Sequence, residues 1–123
     1  MEQEISFERI PTHIYSDSDL ASKSVAKEIA DLIRQNNQAG KPSILGLATG
    51  SSPKKVYQEL IRIHREEGLS FKNVISFNLD EYYPMEPNSI NSYVRFMKEL
   101  LFDHVDILPE NAHVPDGLLT KEQ

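Results

Sequence analysis

The segment of this sequence best suited to chemistry is a run of four small residues, Thr49-Gly50-Ser51-Ser52. It follows the apolar run 44–48 and precedes Pro53, where a helical pattern begins. A buried strand that leads into such a turn and a helix presents backbone N–H groups and the positive end of the helix dipole at one place. Gly50 lets the backbone approach a ligand closely, and the three hydroxyls add donors. The segment predicts a phosphate-binding site, which we call the phosphate seat.

The same residues also suit an ordinary strand–turn–helix connection, with Ser52 as N-cap and Pro53 as the first helical residue. The segment is not a Walker loop, because Lys54 follows Pro53 rather than glycine. On this segment alone the two interpretations remain open.

A second segment lies one crossover later, where Asp80-Glu81-Tyr82 follows the strand-like run 73–79. Ligands of open parallel sheets bind outside the carboxyl ends of the strands, so both segments are expected at one sheet edge. A carboxylate beside a bound sugar phosphate suits proton abstraction next to a carbonyl. Taken singly, Asp80 could be an ordinary turn or N-cap residue, and Glu81 could be a solvated charge in a loop. Together with the glycine loop, they favour a functional site.

Apolar periodicity predicts the elements that position these residues. Helical patterns begin at the caps Ser16–Asp19, at Pro53 and at Tyr93, and strand-like runs alternate with them. The order β-α-β-α-β-α-(β) predicts an α/β fold with a parallel sheet. The strands at 44–48 and 74–79 are nearly continuous in apolar residues, which predicts burial on both faces. The predicted strands are 13–15, 44–48, 73–79 and 112–115, and the predicted helices end near Asn36, Gly68 and Phe102.

Composition limits the classes of function. The chain has 123 residues, of which 39% are hydrophobic, and a net charge of −6. This length suits one modest domain, and the negative charge argues against a general nucleic-acid surface. No cysteine is present, which excludes disulfides and thiol chemistry and fits a reducing cytoplasm. The four histidines show no metal-ligand spacing, and neither an N-terminal signal segment nor a run long enough to cross a bilayer appears.

Four pieces of the chain form a recognisable set: Gly46-Leu47-Ala48-Thr49-Gly50-Ser51-Ser52-Pro53, Phe77-Asn78-Leu79-Asp80-Glu81-Tyr82, Asn91-Ser92-Tyr93 and Phe102-Asp103-His104-Val105-Asp106-Ile107. In this order and spacing, the chain from about Ile14 to Gly117 resembles the glucosamine-6-phosphate deaminase family. The sister family, 6-phosphogluconolactonase, shares the glycine loop but usually has Asp-Glu-Arg where this chain has Asp80-Glu81-Tyr82. The tyrosine therefore favours the deaminase.

The resemblance implies a Rossmann-like parallel sheet flanked by helices, as the N-terminal part of a larger doubly wound domain. It implies a cytoplasmic hydrolase that converts glucosamine 6-phosphate and water to fructose 6-phosphate and ammonia, with no metal or other cofactor. The sugar phosphate would be its partner, not nucleic acid or membrane, and the complete enzyme would be a homo-oligomer. By position Asp80 matches the general base, and Thr49, Gly50, Ser51 and Ser52 match the sugar-phosphate contact region. Glu81 and Tyr82 would line the site.

The family's remaining catalytic groups match nothing in this chain. They are an Asp, a ring-opening His and its Glu partner, near a Gly-rich segment ending in His-Ile-x-Phe-Asn, and cationic phosphate ligands lie later still. His104 and His113 do not match the family's histidine. We therefore expect residues 13–123 to be an incomplete, N-terminal part of a deaminase-like domain, inactive alone, with residues 1–12 as a polar extension. The alternatives are a lactonase-like hydrolase, a non-catalytic sugar-phosphate-binding half-domain and a non-functional fragment.

Overall fold

A computed structural model describes residues 2–5 and 10–119. Two 3-10 turns, Phe102–His104 and Pro109–Asn111, follow the last helix. No helix in these ranges has the length and apolarity that a membrane span requires. The strands are β1 (Glu2–Ile5), β2 (Thr12–Tyr15), β3 (Ser43–Leu47), β4 (Val74–Asn78) and β5 (Ala112–His113), and the helices are α1 (Ser18–Gln38), α2 (Lys54–Glu67) and α3 (Tyr93–Leu100).

The first two strands form a separate antiparallel hairpin in which Glu2 pairs with Tyr15 and Ile5 with Thr12. The strand predicted at 13–15 is therefore present, but its place in the parallel sheet was predicted wrongly: its partner is β1. The boundary predicted between residues 12 and 13 falls inside β2. Residues 1 and 6–9 of the predicted extension, and 120–123 at the other end, lie outside the described residues.

The sheet that matters for the site has the order β3-β4-β5 and is parallel throughout. In its register Ser43 lies opposite Val74 and Leu47 lies opposite Asn78. β5 adds only two residues, with His113 opposite Phe77. The parallel sheet predicted from the alternation of elements is confirmed.

Helices α1 and α2 pack together and bury one face of this sheet. The apolar side chains of α1 are only partly buried, because contact with α2 and the sheet is made by the smaller side chains Ala26 and Ala30 together with Ile33. Leu20, Val25 and Leu32 on the same helix remain exposed. The core consists of Ala26, Ala30, Ile33, Leu45, Leu47, Tyr57, Leu60, Ile63, Leu69, Phe71, Val74, Met97 and Leu101.

The opposite face of the sheet is open, which contradicts the predicted burial on both faces. Side chains alternate along a strand, and every second residue of β3 points away from the helices. Ile44 is 64% exposed and Phe77 is 48% exposed. The Phe77 ring stacks on the His113 ring at 4.8 Å between centroids. We call Ile44, Gly46, Ile75, Phe77 and His113 the open face.

Two contacts join the ends of these elements to later parts of the chain. The Asp106 carboxylate accepts hydrogen bonds from the Phe71 N–H at 2.6 Å and the Ser70 hydroxyl at 2.9 Å. The Met85 N–H donates to the Gly117 carbonyl at 2.9 Å, so the C-terminal segment lies against the loop that follows β4.

Candidate functional site

The parallel register brings the two candidate segments to the same edge of the sheet. Leu47 and Asn78, the last residues of β3 and β4, lie opposite each other, and the chain continues from them to Thr49 and Asp80. The Asn78 side chain joins the two strand ends directly, because its Nδ2 donates to the Leu47 carbonyl at 3.1 Å. The edge therefore combines a turn of hydroxyl and amide donors with a carboxylate.

The glycine loop keeps its donors free. Among residues 10–119, no hydrogen bond uses an N–H or hydroxyl donor of Thr49, Gly50, Ser51 or Ser52. Gly50 has φ +98°, in the region that favours glycine. The loop leads directly into α2, whose positive dipole end attracts anions. These free donors at a helix N-terminus are suited to bind a phosphate group.

The alternative in which Ser52 caps α2 is not what the structure shows. Pro53 occupies the N-cap position with φ −81° and ψ −5°, and no described side chain caps the helix. The helix begins at Lys54, one residue later than expected, and Ser52 remains exposed. Ser52 is thus left available to a ligand.

Tyr57 holds the start of the glycine loop, a role that sequence reasoning missed. Its hydroxyl donates to the Ala48 carbonyl and accepts from the Ala48 N–H at 3.1 Å. The residue is only 3% exposed, and burial raises the pKa of the phenol. The sequence did hold a signal for its burial: Tyr57 lies one helical turn before Leu60 and two turns before Ile63, so it shares the core face of α2 with them.

Asp80 lies beyond the end of β4 with its side chain exposed. Among the described residues its carboxylate accepts no hydrogen bond and makes no ion pair. A carboxylate without a protein partner at a sheet edge is available to accept a proton from a ligand.

Glu81 does not form a second free carboxylate beside Asp80. Its two oxygens accept hydrogen bonds at the N-terminus of α3, from the Ser92 hydroxyl at 2.7 Å and from the Tyr93 N–H at 3.0 Å. The Val94 and Tyr82 N–H groups, at 3.3 and 3.0 Å, complete the set. Burial acts to raise the pKa of Glu81, but the hydrogen bonds, led by that from the Tyr93 N–H, outweigh it and lower the pKa below the usual value of 4.5.

Tyr82 turns toward α3, and its hydroxyl accepts from the Tyr93 hydroxyl at 3.1 Å. That hydrogen bond, with the neighbouring charges, raises the pKa of Tyr82. The two rings lie 5.0 Å apart and line an open cleft of about 500 Å³ with Met85, Ile90 and Phe96. Tyr82 therefore lies beside the strand ends, in the wall of an adjacent cleft.

One further polar atom at the strand ends lacks a partner. Asn78 is 8% exposed, and its Oδ1 has no hydrogen-bond partner among the described residues, like the Oγ of Ser76 two residues earlier. Sequence reasoning treated Asn78 only as part of the strand. No group of three or more His, Asp or Glu side chains in the described ranges could hold a metal ion.

A donor loop and a carboxylate at the carboxyl ends of neighbouring parallel strands define an α/β protein of the class that binds ligands at the sheet edge. The particular family follows from comparison with known proteins. The chain belongs to the family described as glucosamine-6-phosphate isomerases/6-phosphogluconolactonase, whose model matches residues 16–122.

The relatives agree with this assignment. The chain is 50% identical over 115 residues to a protein of Bacteroides thetaiotaomicron named putative glucosamine-6-phosphate deaminase-like protein. This match covers 94% of the present chain and 17% of the Bacteroides protein. It is 50% identical over 107 residues to glucosamine-6-phosphate deaminase 2 of Giardia intestinalis, covering 86% of this chain and 39% of the relative. A solved structure of a monomeric glucosamine-6-phosphate deaminase matches with a TM-score of 0.78 at 36% identity, over 84% of this chain and 41% of the other. The chain thus spans well under half the length of these relatives.

Proposed function

We propose that this chain provides the phosphate seat and the general base of a glucosamine-6-phosphate deaminase. The observation that carries the proposal is the register of β3 and β4, because it brings the unpartnered Asp80 carboxylate to the same edge as the free donors of the glycine loop. The family and the names of the relatives supply the substrate class.

In this proposal the phosphate group is held by residues 49–52. Backbone N–H groups and hydroxyls without internal partners can donate to phosphate oxygens, and the dipole of α2 favours the negative charge. The positive φ at position 50 favours glycine, and because glycine has no side chain the backbone can approach the bound oxygens closely. The loop would thereby fix one end of the sugar.

Asp80 would then perform the proton transfer. Converting an aldose to a ketose moves one proton from C2 to C1, so a positioned carboxylate takes the proton from C2 and returns it to C1. The nitrogen is left on C2 as an imine, from which water releases ammonia. The ring-opening and cationic groups of the family match no residue of this chain, and we therefore expect the 123 residues alone to release no ammonia.

A chimera tests the proposal. Residues 16–119 replace the matching segment of the Giardia relative, and ammonia release from glucosamine 6-phosphate is measured. Asp80→Asn in this chimera is expected to lower kcat by about 10²–10⁴-fold with little change in KM, because the amide keeps the shape but accepts no proton.

Asp103→Asn is the matched control, since Asp103 is exposed and lies in the 3-10 turn after α3, outside the two candidate segments. A rise in KM with unchanged kcat would make Asp80 a ligand of a sugar hydroxyl instead of the base. Phosphate binding without turnover in an intact chimera would favour the binding half-domain, and hydrolysis of 6-phosphogluconolactone without ammonia release would favour a lactonase.

We also propose a cytoplasmic role in the breakdown of N-acetylglucosamine and other amino sugars, in a homo-oligomer that binds neither nucleic acid nor membrane. Support comes from the sugar-phosphate family, from the net charge of −6 and from the lack of cysteine. Growth on N-acetylglucosamine of a strain lacking its own deaminase, with the chimera supplied, tests the metabolic part.

A further inference from the structure

The hydrogen-bonding capacity of the Glu81 carboxylate is filled by its own protein. Oε1 accepts from the N–H groups of Tyr82 and Tyr93, and Oε2 accepts from the Ser92 hydroxyl and the N–H groups of Tyr93 and Val94. A carboxylate offers about four acceptor positions, so little capacity remains for a ligand. The donors come from two places, the residue after Glu81 and the first turn of α3.

Asp80, the residue before Glu81, has a carboxylate without hydrogen-bond partners among the described residues. Within the same part of the chain, no backbone–backbone hydrogen bond outside the sheet involves residues 80–83. The direction of Asp80 is therefore set by the backbone of its own segment. Glu81, one residue away, makes most of the hydrogen bonds that fix this segment, and the Tyr82 side chain adds its contact with Tyr93.

We propose that Glu81 is a positioning residue for Asp80, which rests on the function proposed above: it fastens the end of β4 to the N-terminus of α3 and so directs the Asp80 carboxylate toward the substrate. Glu81 itself touches no substrate. The role needs a carboxylate, because all four donors are N–H or O–H groups and three of them belong to the first turn of a helix, whose dipole favours negative charge.

Glutamine at this position keeps the shape but loses the function. Its amide nitrogen carries two N–H bonds, which the Ser92 hydroxyl can accept but a backbone N–H group cannot. The N–H groups of Tyr82, Tyr93 and Val94 would then share the single amide oxygen in place of two carboxylate oxygens. The segment 80–82 would then sample several directions.

The first part of the test uses the chain itself and amide hydrogen exchange. Glu81→Gln is expected to speed exchange of the Tyr82, Tyr93 and Val94 amides by about tenfold or more, while the amides of α2 keep their rates. Glu99→Gln is the matched control: it removes the same charge from the other end of α3, where, among the described residues, the Glu99 carboxylate pairs only with Arg95. Unchanged exchange at all three amides would overturn the proposal.

The second part measures kinetics in the chimera at a temperature where every variant is folded. Glu81→Gln is expected to lower kcat by about tenfold or more with KM within about threefold, because a displaced base loses rate and not binding. Both limbs of the pH–rate profile should remain, since Asp80 still carries the proton. A purely structural Glu81 would lower the melting temperature but leave kcat per folded molecule unchanged, and a catalytic Glu81 would remove one limb; either result overturns the proposal.

The two proposals fail in different ways. If the unsubstituted chimera releases no ammonia while it is folded, the deaminase function fails, and the exchange experiment still decides whether Glu81 holds the segment of Asp80. If the unsubstituted chimera is active and Glu81→Gln matches it in kcat, the deaminase function stands and the positioning role fails.

Discussion

A single hydroxyl, that of Tyr57, serves both polar backbone groups of Ala48 at the start of the glycine loop. Tyr57→Phe removes only this oxygen and leaves the Ala48 N–H and carbonyl without their protein partner. We expect the free energy of unfolding to fall by about 1–2 kcal/mol, because unmade hydrogen bonds near a buried ring are costly. Urea denaturation of the chain measures this loss.

Tyr15→Phe is the control for that experiment. Among the described residues, the Tyr15 hydroxyl makes a single hydrogen bond, with the Ser24 hydroxyl at 2.7 Å, and both groups are side chains that can turn toward water. We expect a loss of about 0.5 kcal/mol. Equal losses of unfolding free energy for the two variants would mean that the two hydrogen bonds of Tyr57 contribute no more than the single one of Tyr15.

The candidate site could be located from sequence at this scale, but not completed. Thr49–Ser52 and Asp80 were found because parallel strands end at one edge, a rule that needs only the order of elements. The partners of Glu81 could not be found, because they depend on α3 returning to β4 after a loop of irregular backbone. Glu81 was taken as a second site carboxylate, whereas its hydrogen bonds reach residues 92–94.

Between elements, Gly117 allows the C-terminal segment to lie against the loop after β4. A Cβ at this position would come within 2.7 Å of the Met85 Cβ and of the Tyr82 carbonyl oxygen. Gly117→Ala must therefore push the two segments apart. We expect a loss of about 1–3 kcal/mol in the free energy of unfolding, as for other overpacked positions.

Gly46→Ala is the matched substitution for Gly117→Ala. Gly46 lies in β3 on the open face, and a Cβ there meets no atom of the described residues within 4 Å. We expect a change within about 0.5 kcal/mol. If both alanine variants were equally stable in urea, the close approach at Gly117 would not be needed for folding.

Asp106 and Glu81 each connect two parts of the fold through a carboxylate, so acid is expected to weaken these contacts. Burial acts to raise the pKa of Asp106, but hydrogen bonds from the Phe71 N–H and the Ser70 hydroxyl prevail and lower it below 3.8. Glu81 is lowered in the same way. A carboxyl whose pKa is lowered by folding adds stability above its unfolded pKa and loses that stability as the pH falls through the folded pKa.

The free energy of unfolding should therefore be constant from about pH 7 to about pH 5 and should fall below that. Asp106→Asn should lower stability near neutral pH and make the acid decline shallower, as measured by urea midpoints across the range. Glu110→Gln, which changes a side chain without a hydrogen bond among the described residues, should keep the original slope. A decline of the same steepness in Asp106→Asn would assign the acid sensitivity to other groups.

Most helices and strands could be predicted because apolar periodicity is a local property of the sequence. What packs against each element depends on distant parts of the chain and could not be predicted in this way. The three helices and the strands β3 and β4 lie where apolar spacing and caps placed them; the Asp17 carboxylate caps α1, for instance, by accepting from the Leu20 N–H at 2.8 Å. An apolar run shows that a strand can be buried on both faces, but it cannot show what covers each face. For that reason Ile44 and Phe77 were expected inside and lie on the open face.

At the scale of the whole molecule, the open face governs how the isolated chain behaves in solution. Ile44 and Phe77 expose apolar surface beside β3, which forms an edge of the described sheet. Such an edge can pair with another chain. We expect the chain to bind a hydrophobic dye and to self-associate in sedimentation velocity experiments, with the charge of −6 slowing further aggregation.

Phe77→Lys should reduce both dye binding and self-association. Leu32→Lys is the matched control, because Leu32 is 43% exposed, close to the 48% of Phe77, but lies on α1 away from the sheet. A monomer that melts cooperatively and binds no dye would show that these residues close a core by themselves. The binding half-domain would then become the better interpretation of the function.

The register of β3 and β4 also sets which changes of length the chain can accept during evolution. The register depends on the pairing of the strands themselves and not on the length of the connection, so a longer connection still leaves Leu47 opposite Asn78. One residue deleted inside β4 has a different effect. It moves Asp80 by about 3.3 Å along the strand and transfers every following side chain to the other side of the sheet. Related genes should therefore keep the number of residues within β4.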